Sequence, residues 1–394
     1  MPQFDIERRR RRLAVRHALA PGFLVQSPEA AAGRMVALHA TDPATVHLSA
    51  LARMDAGDVT MTEEALYETH SLVRLLAMRR SMFVVPLDVA PLVQAACTRT
   101  IAVTQRRLLL KELAKAGIGP DSGSWLTDVE DATVAALEKR GSATAAQLAG
   151  DVPLLRTTLS LAEGKSYGAT VAITSRVLFL LGAQARIIRG RPRGSWTSTQ
   201  YVWSPMDAWL KGGLPALDTG TAQVELIRRW LLAFGPAPVS DIKWWTGLGL
   251  GDVRKALAAL EISEVELEGE SERGVVLADD LGNDIVDVPP WAALLPALDP
   301  TAMGWQHRDW YLGGYASLVT DRTGNIGPTV WWNGRVVGAW AQRATGEIVY
   351  RLLEDIGRQG RAAVEGCTAE MALRVGDVRF VPRFPAPLDK RLRA

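Results

Sequence analysis

The sequence predicts an α+β fold: three tandem winged-helix units followed by a small β-rich, barrel-like C-terminal domain. Three observations predict it. Helical patterns followed by a pair of β-rich runs recur in order along the chain before residue 288. Glycine- and proline-rich breaks fall between the repeats. After 288 the pattern changes in kind, to alternating β-formers punctuated by Asn333-Gly334 and Thr345-Gly346. At 394 residues the chain exceeds the usual size of one domain. The expected boundaries are 1–120, 121–218, 219–287 and 288–394.

In the first unit, Pro28 to Leu38 reads as a helix with apolar positions at Ala32, Met35, Val36 and Leu38. Asp42-Pro43 then starts a second helix reaching about Met54, because aspartate caps orphan N–H groups and proline lacks the N–H that would be orphaned at the first helical position. Thr62 to Thr69 is a third, short helix. Leu72 to Met78 and Ser81 to Val85 are strands of a hairpin with Arg79-Arg80 at its tip, and Asp88 to Arg107 returns to a helical pattern. Gly117 to Gly123 is the linker.

The second unit opens with an amphipathic helix, Leu126 to Lys139, stopped at Arg140-Gly141. A short helix over Ser142 to Leu148 and a third over Gly168 to Leu181 follow. Strands Ala185 to Ile188 and Thr199 to Trp203 then flank a basic wing, Arg189-Gly190-Arg191-Pro192-Arg193-Gly194. The third unit repeats the order with helices at Ala222 to Phe234, Ser240 to Thr246 and Leu250 to Leu260, and strands at Glu264 to Leu267 and Val275 to Ala278. In the last domain, Trp331 to Val337 and Ala339 to Gln342 are strands, Glu347 to Glu365 a helix, and Val375 to Pro382 a final strand.

Hydrophobic residues make up 48% of the chain and charged residues 22%, as in soluble globular proteins. No apolar run reaches the roughly 18 residues that a membrane span requires, and the arginine-rich start lacks the apolar stretch of a signal peptide. The expected location is the cytoplasm. Cys97 and Cys367 are too few for a disulfide framework or a structural zinc site, so neither metal nor cofactor is expected. Charge is unevenly spread although the net is +2. The first twenty residues carry six arginines, Gln184 to Met206 carries four arginines and no acid, and Glu261 to Asp287 is acidic. That spread suits a protein with one nucleic-acid-facing side, and it also suits ordinary solvated faces.

Several motifs fail. Gly164-Lys165-Ser166 lacks the opening glycine of a phosphate loop, which would fall at Leu159. There is no histidine pair at helical ligand spacing and no Cys-x-x-Cys for deaminase chemistry. What remains is Leu38-His39-Ala40-Thr41-Asp42-Pro43, where an imidazole and a hydroxyl are spaced by two beside a break in chain direction. A histidine there also serves commonly as a helix cap.

Four phrases in order carry a resemblance: that stretch, then Leu75 to Pro86, Leu294 to Trp305, and Asn325 to Gly338. Together they resemble the winged-helix family of bacterial alkylpurine DNA glycosylases, AlkZ/YcaQ-like, over nearly the whole chain. The family's catalytic motif is Gln-x-Gln or Gln-x-Asp, and the matching positions here are His39 and Thr41. The resemblance implies that His39 accepts a proton from water, that Thr41 orients that water, and that Asp42 orients the imidazole or offsets sugar charge. With no lysine nucleophile in the stretch, it implies hydrolysis of the N-glycosidic bond of N7- or N3-alkylated purines, possessing no lyase step. Bulky or crosslinked adducts, and self-resistance to an alkylating natural product, fall within the same expectation.

The partner is then duplex DNA carrying alkylated purines, met by a monomer located with the nucleoid. Arg79, Arg80, Arg189, Arg191 and Arg193, at the expected hairpin tips, contact phosphate. Trp244 and Trp245 either stack on bases or fill the core, and the tryptophans after 300 belong to the C-terminal core. The alternative is a non-catalytic winged-helix DNA-binding protein, a regulator or a lesion-binding protein.

Overall fold

The computed structural model describes residues 1–119, 121–161, 169–284 and 287–394. Among the described residues the strands form five small sheets, each an open run of two to four strands. The Gly164-Lys165-Ser166 stretch lies outside the described residues.

In the first unit Ser27 caps the helix Pro28–Arg34, which ends before the expected Leu38. Val36 takes a left-handed φ of 62° and Leu38–His39 pairs antiparallel with Phe83 and Val84. The apolar positions that suggested a longer helix are all buried, but the backbone buries them by turning. The catalytic-motif candidate thus begins on a strand at the edge of a three-stranded sheet rather than at a helix end. Asp42 caps the next helix, Pro43–Leu51, as expected. The hairpin Leu72–Leu76 with Met82–Pro86 completes the sheet, and Arg79 and Arg80 both turn in the left-handed region. A long helical rod follows, with one wide turn over Gln94–Thr98 between Ala90–Val93 and Arg99–Lys115.

In the second unit the helix Ser122–Arg140 precedes Ala145–Asp151, which is held by a reciprocal Thr144–Gln147 capping box. The helix expected over 168–181 is shorter, Thr174–Ala183, because Ala169–Ala172 pairs as a strand with Thr158–Leu161. The β-branched Thr170 and Val171 favour that pairing. The basic wing also differs. Its strands are Ile187–Pro192 and Tyr201–Pro205, so Arg189 and Arg191 lie within a strand and the loop spans 193–200. Trp196 of that loop is 4% exposed and packs near Phe380 and His47.

The third unit contains helices Thr219–Phe234, Val239–Thr246 and Leu250–Leu257 and a hairpin of Ile262–Leu267 with Gly274–Leu277. Gln3–Phe4 adds to that hairpin as a parallel strand. The arginine-rich helix that follows, Ile6–Arg16, is therefore laid against the acidic tract. Arg8 and Arg12 pair with Asp284, Arg12 and Arg16 with Asp280, and Arg9 with Glu270. Four arginines of the basic start are thus matched by three acids of the acidic tract and are not free to meet a polyanion.

After residue 288 the sheet is a meander of Ala292–Leu295, Thr329–Trp332, Arg335–Gln342 and Ile348–Leu352, turned at Asn333-Gly334. It is open rather than barrel-like: helices Gly357–Val375 and Pro387–Arg393 pack against it. The helix expected from 347 starts at 357, because Ile348-Val349-Tyr350 extends the sheet. The strand expected over 375–382 is absent, since the helix runs to Val375.

One apolar core runs through residues of the first unit, the third unit and the C-terminal segment and takes in Ile188, Met206 and Leu210 of the second, most of whose other buried apolar residues gather with Leu109 and Leu113 in a cluster of their own. Inside the shared core, Arg53 and Asp299 form an ion pair with both side chains wholly buried, 2.8 Å from Nη2 to Oδ1. Ser49 Oγ donates to Asp299, Arg53 also donates to Ser49 O and Thr301 Oγ1, and Thr301 Oγ1 meets His17 Nδ1. The phrase Leu298-Asp299-Pro300-Thr301 thus anchors the helix Pro43–Leu51 to the C-terminal half.

Candidate active site

Where the motif strand meets the second wing, a cleft of about 540 Å³ opens, bordered by Thr41, Arg189, Arg193, Gln200, Tyr201 and Arg383. Thr41 comes from the turn after Leu38–His39, the wing strands bring Arg189 and Tyr201, and the chain after the last long helix brings Arg383. Asp42 fastens this third contributor: its Oδ2 accepts the Arg383 N–H at 2.9 Å while Oδ1 accepts the Ala44 N–H at 3.1 Å.

The motif residues part company. His39 is 5% exposed and does not border the cleft; its ring packs on Phe83, 4.9 Å between centroids. Its Nδ1 faces the Thr41 N–H at 3.4 Å. Burial, and then the charge of Arg79, push its pKa down to about 3. Strand pairing opposite Phe83 turns the ring inward, so the structure does not set His39 against water in the cleft, where a proton acceptor was expected. Asp42 is likewise buried, with both oxygens engaged by backbone N–H groups, and it contacts neither the imidazole nor the cleft. Burial raises its pKa against those hydrogen bonds. Thr41 does border the cleft, with its Oγ1 turned inward, sealed and without a hydrogen-bond partner.

The expected cationic residues also divide. Arg189 and Arg193 flank the cleft. Arg191 instead pairs with Glu63 and Glu68 and lies over Tyr67, so it ties the wing to the first unit. Arg79 is half-buried over Trp244, Cζ 3.9 Å from the ring, and burial together with Arg308 pushes its pKa down to about 10. Arg80 is exposed beside a separate hollow with Phe179. Trp245 belongs to the core and Trp244 is its half-buried neighbour. Because Arg191 is already neutralised, Arg191→Gln is expected to leave the salt dependence of duplex binding unchanged and to shift stability by less than about 1 kcal/mol. Titrating duplex binding against salt, beside a melting curve, checks both.

Tyr201, Arg74 and Arg383 were not anticipated. A signal existed for Arg74, a lone charge in Leu72-Val73-Arg74-Leu75-Leu76, and for Tyr201, an aromatic opposite a basic strand. Arg383 has no local signal, since only the fold brings it to residue 42. Among the described residues no group of three or more histidine, cysteine or acidic side chains is arranged to hold a metal ion. No helix among them is long and apolar enough to cross a membrane.

Comparison with known proteins finds both a family and a solved structure that this chain resembles. The family model described as DNA glycosylase AlkZ-like matches residues 32–373, a span containing the whole motif stretch. Among solved structures the chain is similar to the Streptomyces sahachiroi DNA glycosylase AlkZ, with a TM-score of 0.71 at 20% identity, covering 95% of this chain and 98% of that one. At that identity the likeness speaks for the fold. No curated protein matches.

Proposed function

The chain belongs to the AlkZ-like DNA glycosylase family, and from that premise we propose that it hydrolyses the N-glycosidic bond of N7- or N3-alkylated purines in duplex DNA, leaving an abasic site. Membership makes it an enzyme acting on DNA and sets aside the non-catalytic DNA-binding alternative. The observation that carries the finer reading is Thr41 on the wall of a cleft bordered by three arginines without ion-pair partners among the described residues.

An alkylated purine already carries positive charge, so its bond to the sugar is weak and the departing base needs little protonation. The remaining barrier lies in the oxocarbenium-like sugar and in holding a water on its far face. A buried neutral histidine is compatible with that chemistry, because a strong base is not demanded. Thr41 supplies the hydroxyl. Threonine populates two χ1 rotamers readily, and rotation carries Oγ1 from its sealed position, where it lacks any partner, towards the cleft. His39 acts from behind, fixing the Thr41 backbone.

The test is base release from a duplex containing N7-methylguanine. Thr41→Val keeps the shape and removes the hydroxyl, and it is expected to slow release by about 10²-fold with the fold and duplex affinity retained. Unchanged release by Thr41→Val would displace the hydroxyl from the chemistry. A wild-type protein that binds the duplex and releases no alkylated purine would end the reading of its substrate.

A further inference from the structure

We infer that the cleft contains a seat for a single DNA phosphodiester, met by Arg189 and backed by Arg74 beneath the floor. The inference rests on the reading that this cleft receives the duplex. It starts from Arg74, in the strand Leu72–Leu76, all of whose residues are buried. Arg74 is 3% exposed and forms no ion pair among the described residues. Its Nη1 donates to Ala40 O at 3.3 Å and its Nε has no partner; burial lowers its pKa, and the hydroxyls of Tyr201 and Tyr67, neither of them a carboxylate, outweigh that and raise it. A buried guanidinium without a counter-charge is destabilising. The same protein shows the ordinary solution at Arg53, which is equally buried and has Asp299.

The second observation is that more positive charge of the same kind gathers there. Arg74 lies over the Tyr201 ring, Cζ 4.9 Å from the centroid, and Arg189 lies over that same ring at 5.6 Å and over Trp203 at 5.2 Å. Arg189 has no ion pair among the described residues either. Burial lowers its pKa, Tyr201 opposes this, and the charges of Arg74 and Arg383 add to the lowering. Only two positions along, Arg191 is neutralised by two glutamates. Of the buried arginines Arg9, Arg12, Arg53 and Arg74, the first three each have an acid partner and Arg74 has none, and it lies behind Tyr201, on a cleft lined by Arg189, Arg193 and Arg383 without ion pairs among the described residues.

A compact anion with several acceptor oxygens answers that arrangement, and the Arg189 fork suits two of those oxygens. On a DNA substrate this is the backbone phosphate; free phosphate shares the chemistry. The seat has a consequence for the reaction. A sugar acquiring positive charge would be repelled by Arg74 and Arg189, and a seated phosphate removes that repulsion. Arg189 is then a binding residue and Arg74 a positioning residue acting through Tyr201 and through its charge.

The experiment uses duplexes with one N7-methylguanine in which the linkages around the lesion are made neutral one at a time as methylphosphonates. For wild-type protein one linkage is expected to weaken binding by about tenfold. In Arg189→Gln that linkage is expected to have no further effect, and the slope of log affinity against log salt is expected to shrink by about one. Arg74→Lys, which keeps the charge, should retain the linkage effect, whereas a folded Arg74→Met should lose most of it. Equal response at every linkage, or an undiminished response in Arg189→Gln, would overturn the seat. So would inorganic phosphate competing with wild type, and not with Arg189→Gln, while every methylphosphonate is silent, which would assign the cations to free phosphate. Base release is scored separately on the same duplexes. Linkage-dependent binding without release would sink the glycosylase reading of this substrate and leave the seat standing.

Discussion

Asp299→Ala is expected to destabilise the protein by about 3–5 kcal/mol, a large fraction of the net stability of a typical domain. The loss arises less from the attraction removed than from what is left behind. Arg53 would keep Ser49 O and Thr301 Oγ1 as acceptors, but its charge would stay in a wholly buried position with Nε already lacking a partner. Asp299 also accepts the Ser49 hydroxyl and the Thr301 N–H, so two further donors lose an acceptor. Asp299→Asn retains the shape and one acceptor and should cost less. Chemical denaturation monitored by circular dichroism gives the comparison, and an Asp299→Ala midpoint close to wild type would show that the pair does not bear on stability.

Acid is the second strong lever. His39 and His47 are buried with pKa values pushed down to about 3, by burial first and then by Arg79 and Arg74 respectively, and burial lowers His17 as well. In the unfolded chain each imidazole takes a proton near pH 6.5. At His39 and His47 the folded state refuses that proton until about pH 3, and at His17 burial holds it well below the usual imidazole range, so the unfolded state binds more protons in between and stability falls as pH falls. Each such histidine contributes about 1.4 kcal/mol per pH unit inside that window. Asp42, Glu130, Asp241 and Asp389 work in the opposite sense, because burial raises their pKa values, that of Asp241 to about 6, and protonation then favours the folded state. Cooperative unfolding is expected between about pH 4 and 5.5. His47 is the informative site, since its ring is wholly buried and has no side-chain hydrogen-bond partner among the described residues. His47→Leu is expected to be close to neutral at pH 7 and to move the acid midpoint downward. An acid midpoint identical to wild type would refute the assignment.

Much of the framework was readable from local chemistry. Asp42-Pro43 starts a helix, Arg79-Arg80 turns a hairpin, Thr144 with Gln147 caps a helix, and Asn333-Gly334 joins two strands, because each feature is decided by neighbouring residues. What escaped was decided at a distance. A two-residue strand such as Leu38–His39 has no periodicity to read, and its pairing with Phe83 is what hides the imidazole. The wing strand reaches Pro192 because Tyr201–Pro205 pairs with it, moving Arg189 to the cleft and Arg191 to two glutamates. The arginines at the start looked like a polyanion surface until the chain brought Asp280 and Asp284 beside them.

Those distant pairings set an order of events during synthesis. As the polypeptide leaves the ribosome, Gln3 and Phe4 wait for residues 266 and 267 to complete their strand, and Arg53 waits for Asp299. Nascent chains that stop after the first repeat would therefore hold an arginine destined for the interior with nothing to neutralise it. Repeats that look like separable beads along the string are, on this account, one cooperative body for the first, third and last segments, and attempts to excise the opening repeat or to graft it onto a relative should yield insoluble product.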